Sequence, residues 1–135
     1  MIRFLLDTNA CIGAINGDPP SVRARLLTKD PAAVAISRVV HYQLLFGVCR
    51  SSRPDSNMEE LKHFLKYVQV LDWGEEQAVE AARIRAGLAR KGQPIGPYGT
   101  LIAGHARSID ATLVTHNTSE FARVDSLRVE DWGMA

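Results

Sequence analysis

Short apolar runs alternate with longer segments of mixed polarity along this chain. Five runs have the length and composition of strands, the last being the weakest: residues 2–6, 32–36, 68–71, 111–115 and 127–129. Helices are predicted between them, one ending near residue 16 and the others covering about 21–29, 38–50, 58–67, 75–90 and 98–107. Strands that alternate with helices are typical of a parallel sheet covered on both faces. The pattern therefore predicts an α/β fold.

The apolar positions also predict which helix faces are buried. In residues 21–29, Val22, Leu26 and Leu27 are expected to share one apolar side. Residues 75–90 repeat apolar positions at helical spacing, which predicts a buried side made of Ala78, Ala82, Ile84, Leu88 and Ala89.

Size and composition are those of one ordered globular unit. The chain has 135 residues, of which 46% are hydrophobic and 23% charged, so we interpret residues 1–135 as a single domain. The formal net charge of +1 gives no overall signal for nucleic acid. Arg83, Arg85, Arg90 and Lys91 do cluster, which fits either a local nucleic-acid contact or a solvated helix face.

Two isolated cysteines, Cys11 and Cys49, offer neither a zinc-binding spacing nor a disulfide framework. We interpret them as small buried apolar residues in a reducing compartment. No apolar run approaches the roughly 18 residues that span a membrane. A cytoplasmic protein without membrane contact is therefore expected.

Polar residues that follow the predicted strands are the candidates for chemistry, because sites in open parallel sheets form at the carboxyl ends of the strands. This rule selects Asp7, Ser37 and the segment 116–118. Asp7 follows a strand directly and fits two roles equally well, a ligand for a cation or a cap for the next helix. Thr8 and Asn9 carry the same two alternatives.

The segment after the fourth strand leaves similar alternatives open. Asn117 and Thr118 either turn the chain or contact a phosphate, and Glu120 is a site acid or a solvated acid at a helix start. His116 fits a general base or an ordinary surface histidine.

Several fragments together resemble the PIN-domain family, in particular VapC-type toxins of type II toxin–antitoxin systems. Leu5-Leu6-Asp7-Thr8-Asn9 is similar to the opening signature of the family. The later fragments that match, in order, are residues 90–97, 104–108, 113–121 and 129–132. The resemblance extends from residue 2 to residue 132, and it is the ordered series that makes it specific.

The resemblance implies a three-layer α/β/α sandwich around a mainly parallel sheet, and a metal-dependent endoribonuclease activity. In the family, three or four acids at the sheet edge bind Mg²⁺ or Mn²⁺. Hard divalent cations prefer carboxylate oxygens, and a metal beside a phosphodiester can generate hydroxide and offset developing charge.

Two family acid positions are occupied by other residues in this chain. Asp7 matches the first acid and Glu120 fits the fourth. Gln43 stands where the family has glutamate, and Gly99 stands where it has aspartate. Asp72 and Asp110 do not follow strands in a matching way and are not expected to substitute. We therefore expect a dication to bind weakly and cleavage to be reduced or lost.

Partners are also implied by the resemblance alone. They are a cognate antitoxin, which in the family inserts a tail and often an arginine into the active-site groove, an RNA substrate such as initiator tRNA, and a second copy in a homodimer. The competing hypothesis is an inactive PIN-fold module that binds antitoxin or RNA without cutting it. A nucleotide-binding α/β protein is poorly supported, because no glycine-rich phosphate loop follows a strand.

Overall fold

A computed structural model describes residues 1–134 of the chain. It contains five strands, β1 (Phe4–Leu6), β2 (Val34–Ser37), β3 (Gln69–Leu71), β4 (Thr112–Val114) and β5 (Val129–Glu130). The helices are α1 (Thr8–Asn16), α2 (Pro20–Leu27), α3 (Arg38–Cys49), α4 (Pro54–Phe64), α5 (Glu75–Arg90), α6 (Pro97–Ser108) and α7 (Thr118–Phe121). Within residues 1–134, no helix is long and apolar enough to cross a membrane.

All strand pairs are parallel, and the order across the sheet is β3-β2-β1-β4-β5. The three central strands are buried along their whole length, whereas β3 and β5 at the edges are partly exposed. The side chains of Leu5, Ile36 and Leu113 are fully buried. Strands buried on both faces read as continuous apolar runs, which is why they are visible in the sequence. The predicted α/β architecture is confirmed.

The helix ends follow local capping chemistry. Ser37 caps α3, because its side chain accepts a hydrogen bond from the Val39 N–H. α4 begins at Pro54 rather than near residue 58, because proline is well placed in a first helical turn, where no backbone N–H donor is needed. Residues 54–57, which lie between the predicted helices 38–50 and 58–67, are therefore helical.

Some burial predictions are wrong. Leu27 is exposed although Val22 and Leu26 are buried, since it is the last residue of α2 and points away from the core. On α5 the buried positions are Ala81, Ile84 and Leu88, and the alanines predicted to be buried are exposed: Ala78, Ala82 and Ala89. Cys11 is buried as expected, but Cys49 is exposed at the last turn of α3.

Candidate functional site

The sheet order places a crevice between β1 and β4. The chain moves from β1 outward through β2 and β3, and then returns to the other side of β1 with β4 and β5. Ligands in open α/β sheets bind at such a reversal, outside the carboxyl ends of the strands. Asp7 follows β1 at this point, and its N–H donates to the Val114 carbonyl of β4 at 3.0 Å. The ends of these two strands therefore share one edge.

Asp7 is a buried carboxylate at the start of α1. Its Oδ1 accepts a hydrogen bond from the Ala10 N–H at 2.8 Å, so it caps the helix. Burial raises the pKa of Asp7 above its ordinary value, and the nearby carboxylate of Asp131 adds to the rise. The hydrogen bonds from Thr115 and Ala10, and the nearby His116, lower the pKa but do not cancel the rise. The site thus holds an acid whose negative charge is poorly solvated.

Thr8 and Gln43 join α1 to α3 beside Asp7. The Thr8 hydroxyl donates a hydrogen bond to Oε1 of Gln43. Gln43 is half-buried and lies on the first half of α3. The amide therefore has a neutral partner here and adds no charge to the site.

Glu120 ties α7 to the start of α6. Its Oε1 accepts from the Gly96 N–H at 3.1 Å, and its Oε2 accepts from Nδ2 of Asn117. Thr118 begins α7 directly after Asn117 and is half-buried. Both oxygens of Glu120 consequently have donors within the protein.

Gly99 lies in the first turn of α6, close to the residue after Glu120. A Cβ at this position would be 3.3 Å from Cζ of Phe121 and 3.8 Å from Cδ1 of Ile95. Gly99 is helical and does not belong to the glycines with positive φ. The backbone conformation therefore gives no reason for a glycine at this position.

A contact between His116 and Asp131, near Asp7, was not predicted from the sequence. Nδ1 of His116 is 3.0 Å from Oδ2 of Asp131, whose side chain is only 8% exposed. Both residues, with Asn9 and Thr115, line a cavity of about 150 Å³. Asp131 directly follows β5, so the strand-end rule that selected Asp7 also applies to it. The weak pattern of the two-residue β5 concealed this.

Most of the candidates lie at one sheet edge. Thr8 contacts Gln43, Asn117 contacts Glu120, and Asn9 lines the same cavity as His116. Ser37 is fully buried and its side chain caps α3, so it is not exposed to the crevice. Arg83 pairs with Glu80 at 3.0 Å on α5, while Arg85 and Arg90 are exposed there, which fits a solvated helix face.

Comparison with known proteins settles the family. The model of the PIN domain matches residues 4–127. The chain belongs to the PIN-domain family. Among its relatives, the tRNA(fMet)-specific endonuclease VapC of Shigella flexneri is 43% identical over 132 residues, which cover 98% of this chain and 99% of the relative. The chain is therefore a VapC-type PIN domain.

Solved structures agree with this assignment. The DNA-bound VapBC of Salmonella typhimurium contains a chain that is 39% identical to this one, with a TM-score of 0.91, over 98% of this chain and 99% of the other. The VapBC2 of Rickettsia felis bound to a promoter DNA fragment gives a TM-score of 0.90 at 36% identity, over 98% and 99% of the two chains. The predicted PIN-like sandwich is confirmed.

The acids of this PIN domain do not form a complete metal site. Within residues 1–134, no group of three or more His, Cys, Asp or Glu side chains is placed to hold a metal ion. Asp7 caps a helix, Glu120 has two internal donors, and positions 43 and 99 carry no charge. These side chains therefore do not fit the acid set that a tightly held dication needs.

Proposed function

We propose that this PIN domain is the toxin of a type II toxin–antitoxin pair, with an endoribonuclease site whose activity is reduced or lost. Its RNA would be of the kind named for the relative from Shigella flexneri, the initiator tRNA(fMet). The observation that supports reduced activity is that Gln43 and Gly99 are both uncharged. Gln43 contacts Thr8, the residue after Asp7, and Gly99 lies beside Phe121, the residue after Glu120. We further propose that residues 1–135 form one domain, in the cytoplasm.

Asp7 and Glu120 are the acids that we assign to the site, both as catalytic residues and as metal ligands. PIN-domain nucleases generally depend on divalent metal ions. We expect Mg²⁺ or Mn²⁺ to bind weakly here, because glutamate at 43 and aspartate at 99 would each add a negative charge that this chain lacks. Thr8, Asn9, Asn117 and Thr118 are polar groups at the same edge and are assigned to phosphate contacts.

An antitoxin is the partner that we propose, since similar chains occur in VapBC complexes. A groove of about 550 Å³ between α1, α2 and α4 suits its apolar segment. Leu27 is 57% exposed in this groove, and Glu59 and Glu60 line it beside Phe64. The two glutamates complement a basic side chain of the partner. A homodimer is also part of the proposal.

A binding module without cleavage is the alternative function. The hydrogen bond that the Thr8 hydroxyl donates to Oε1 of Gln43 supports it, because the hydroxyl then has a neutral acceptor in place of a carboxylate. Such a module would retain antitoxin or RNA binding and cleave nothing in Mg²⁺ or Mn²⁺.

Cleavage of initiator tRNA by three chains tests the proposal. The parent is compared with Gln43→Glu/Gly99→Asp and with Gln93→Glu/Gly87→Asp, in Mg²⁺ or Mn²⁺ and in EDTA. The third chain is the control, because it makes the same two residue changes away from the site. Gln93 is exposed and a Cβ at Gly87 meets nothing within 4 Å, so both changes can be accommodated. The side chain at position 99 requires the Phe121 ring to move by a few tenths of an ångström, so melting temperatures accompany the assay.

EDTA-sensitive cleavage only by Gln43→Glu/Gly99→Asp is the expected result. Equal EDTA-sensitive cleavage by all three chains would mean that Asp7 and Glu120 suffice, and that the account of the missing acids is wrong. Antitoxin binding with no cleavage by any chain would favour the binding module.

A further inference from the structure

The hydrogen-bonded pair of His116 and Asp131 leaves one nitrogen of the imidazole free. Nδ1 of the ring is 3.0 Å from Oδ2 of the carboxylate. The imidazole is 87% exposed, whereas the carboxylate is buried. A carboxylate only accepts hydrogen bonds, so Nδ1 carries the proton and donates to Asp131. In the neutral ring, Nε2 is then left with a lone pair on an exposed side chain.

Three contacts fix Asp131 in the segment after β5. Its Oδ1 accepts a hydrogen bond from the Gly133 N–H at 2.7 Å, and its main-chain carbonyl accepts one from Arg25 of α2 at 3.2 Å. Its Oδ2 contacts His116. Because each carboxylate oxygen has its own partner, the carboxylate cannot rotate without breaking both contacts. A buried carboxylate that holds the Nδ1–H of a histidine fixes the tautomer and the direction of the ring.

The pair lies at the same strand ends as Asp7. His116 follows β4 by two residues and Asp131 follows β5 directly. Both influence the pKa of the Asp7 carboxyl group through their charges, so they are close to it. With Asn9 and Thr115 they line the cavity of about 150 Å³ at this edge. An oriented imidazole therefore stands at the candidate site, on a side chain that a nucleic-acid strand can reach.

We propose that His116 is a general base that cleaves RNA without a metal ion, and that Asp131 is the positioning residue that keeps Nε2 unprotonated. Nε2 removes the proton of a ribose 2′-hydroxyl, and the 2′-oxygen forms a bond to the adjacent phosphorus. The bond between phosphorus and the 5′-oxygen breaks, and this oxygen takes a proton from water. The imidazolium returns its proton to the hydroxide that remains. The products are a 2′,3′-cyclic phosphate and a 5′-hydroxyl.

The residues of the site favour the 2′-hydroxyl over water as the nucleophile. Positions 43 and 99 carry no charge, so the acids needed to hold a dication that activates water are incomplete. The 2′-oxygen is already bonded next to the phosphate that it attacks, so its proximity needs no metal. A positioned base accelerates such a step by about 10²–10⁴-fold. The inference rests on the proposed function only in taking RNA as the ligand.

The tautomer of His116 tests the role of Asp131 without any activity assay. In Asp131→Asn the Gly133 N–H should keep the amide oxygen, so the amide NH₂ faces the ring. Nδ1 must then accept, which moves the ring proton to Nε2. At a pH at which the ring is neutral, ¹⁵N NMR should show the proton on Nδ1 in the parent and on Nε2 in this variant. A parent ring protonated on Nε2 would overturn the positioning role.

Cleavage in EDTA tests the base itself. The substrates are initiator tRNA and a single-stranded oligoribonucleotide of about ten nucleotides, with the 2′-deoxy oligonucleotide as the uncleavable control. Mass spectrometry should find 2′,3′-cyclic phosphate ends with the parent. His116→Gln and Asp131→Asn should each be slower by about 100-fold. His63→Gln makes the first of these changes at an exposed histidine on α4 and should cleave like the parent.

Several results would overturn the inference. Equal cleavage by the parent, His116→Gln and Asp131→Asn, purified in parallel and with equal melting temperatures, would identify a contaminating nuclease. Ends that carry a 5′-phosphate would show that water is the nucleophile. Intact RNA with the parent in EDTA would refute metal-free cleavage alone, because the proposed function is tested by EDTA-sensitive cleavage in Gln43→Glu/Gly99→Asp.

Discussion

Asp7 combines two opposite contributions to stability at one residue. Its carboxylate caps α1, which stabilises the fold, but burial raises its pKa, which means that the folded state disfavours the charged form. Because the pKa is higher in the folded state, protonation of Asp7 stabilises the folded state relative to the unfolded one. This contribution to the free energy of unfolding is fully present below the ordinary pKa of 3.8, and it is lost as pH rises through the folded pKa.

We therefore predict that Asp7→Asn raises the melting temperature at pH 7. Asparagine keeps a side-chain oxygen for the Ala10 N–H and removes the buried charge. The advantage over the parent should disappear in acid, where the parent carboxyl is protonated in both states. Asp7→Ala is the control, because it also removes the charge but loses the cap and should be less stable than Asp7→Asn by about 1 kcal/mol. A lower melting temperature for Asp7→Asn at pH 7 would contradict the argument.

His105 is expected to make the free energy of unfolding depend on pH in the opposite direction, so that stability falls in acid. The ring is 1% exposed, its Nδ1 has no hydrogen-bond partner within residues 1–134, and burial lowers its pKa from 6.5 to about 4. Since the unfolded state takes up the proton first, the contribution to stability is complete above 6.5 and declines as pH falls towards 4. The loss amounts to about 3 kcal/mol, at 1.36 kcal/mol for each pH unit between the two values.

Chemical denaturation between pH 4 and pH 7 measures this dependence. In His105→Gln the decline should be much shallower, because glutamine does not titrate. An unchanged slope in that variant would show that other groups cause the acid sensitivity.

At the scale of elements, the contact between α5 and α6 depends on Gly104. A Cβ at this position would lie 2.7 Å from the Ala81 backbone nitrogen and 2.8 Å from its Cα, distances that a helix backbone cannot relieve locally. We predict that Gly104→Ala lowers the free energy of unfolding by about 2–3 kcal/mol, as expected for overpacking.

Gly87→Ala is the matched control for this prediction. It makes the same chemical change on α5, at a place where a Cβ meets nothing within 4 Å. The gain in helix propensity, up to about 1 kcal/mol, should leave its stability equal to or above that of the parent in urea denaturation. Similar stabilities for the two variants would mean that the helices are not held together at Gly104.

The elements that the sequence predicted best are those with a strong local pattern. The central strands are buried on both faces and α5 has a long helical period, so their existence follows from apolar spacing. α7 was anticipated only as one alternative, a helix start at Glu120, because a four-residue helix leaves no period to detect. Leu27 and Cys49 lie at helix ends, where apolar spacing no longer determines which side faces the core.

The candidate site was predictable where it depends on single strand ends. Asp7 and the segment after β4 follow buried strands, and parallel strands bring such residues to one edge. Asp131 follows only a two-residue strand. The rings of Tyr42 on α3 and Tyr98 on α6 have centroids 6.3 Å apart. This contact has no local sequence signature, so only the packing of the two helices reveals it.

On the scale of the whole molecule, the layers separate what holds the fold from what performs chemistry. The sheet interior consists of apolar side chains, whereas Gln43 and Gly99 are half-buried positions on helices outside it. Exchanges at these positions remove charge from the site without opening a cavity in the core.

The reversal of strand order between β1 and β4 therefore has a consequence for inheritance. The crevice is assembled from the first residues after each strand. Substitutions there can therefore accumulate one at a time without changing the residues that pack the sheet. A descendant that has stopped cutting would still fold and still present its partner's groove. Such a chain would compete with an active relative for the same antitoxin.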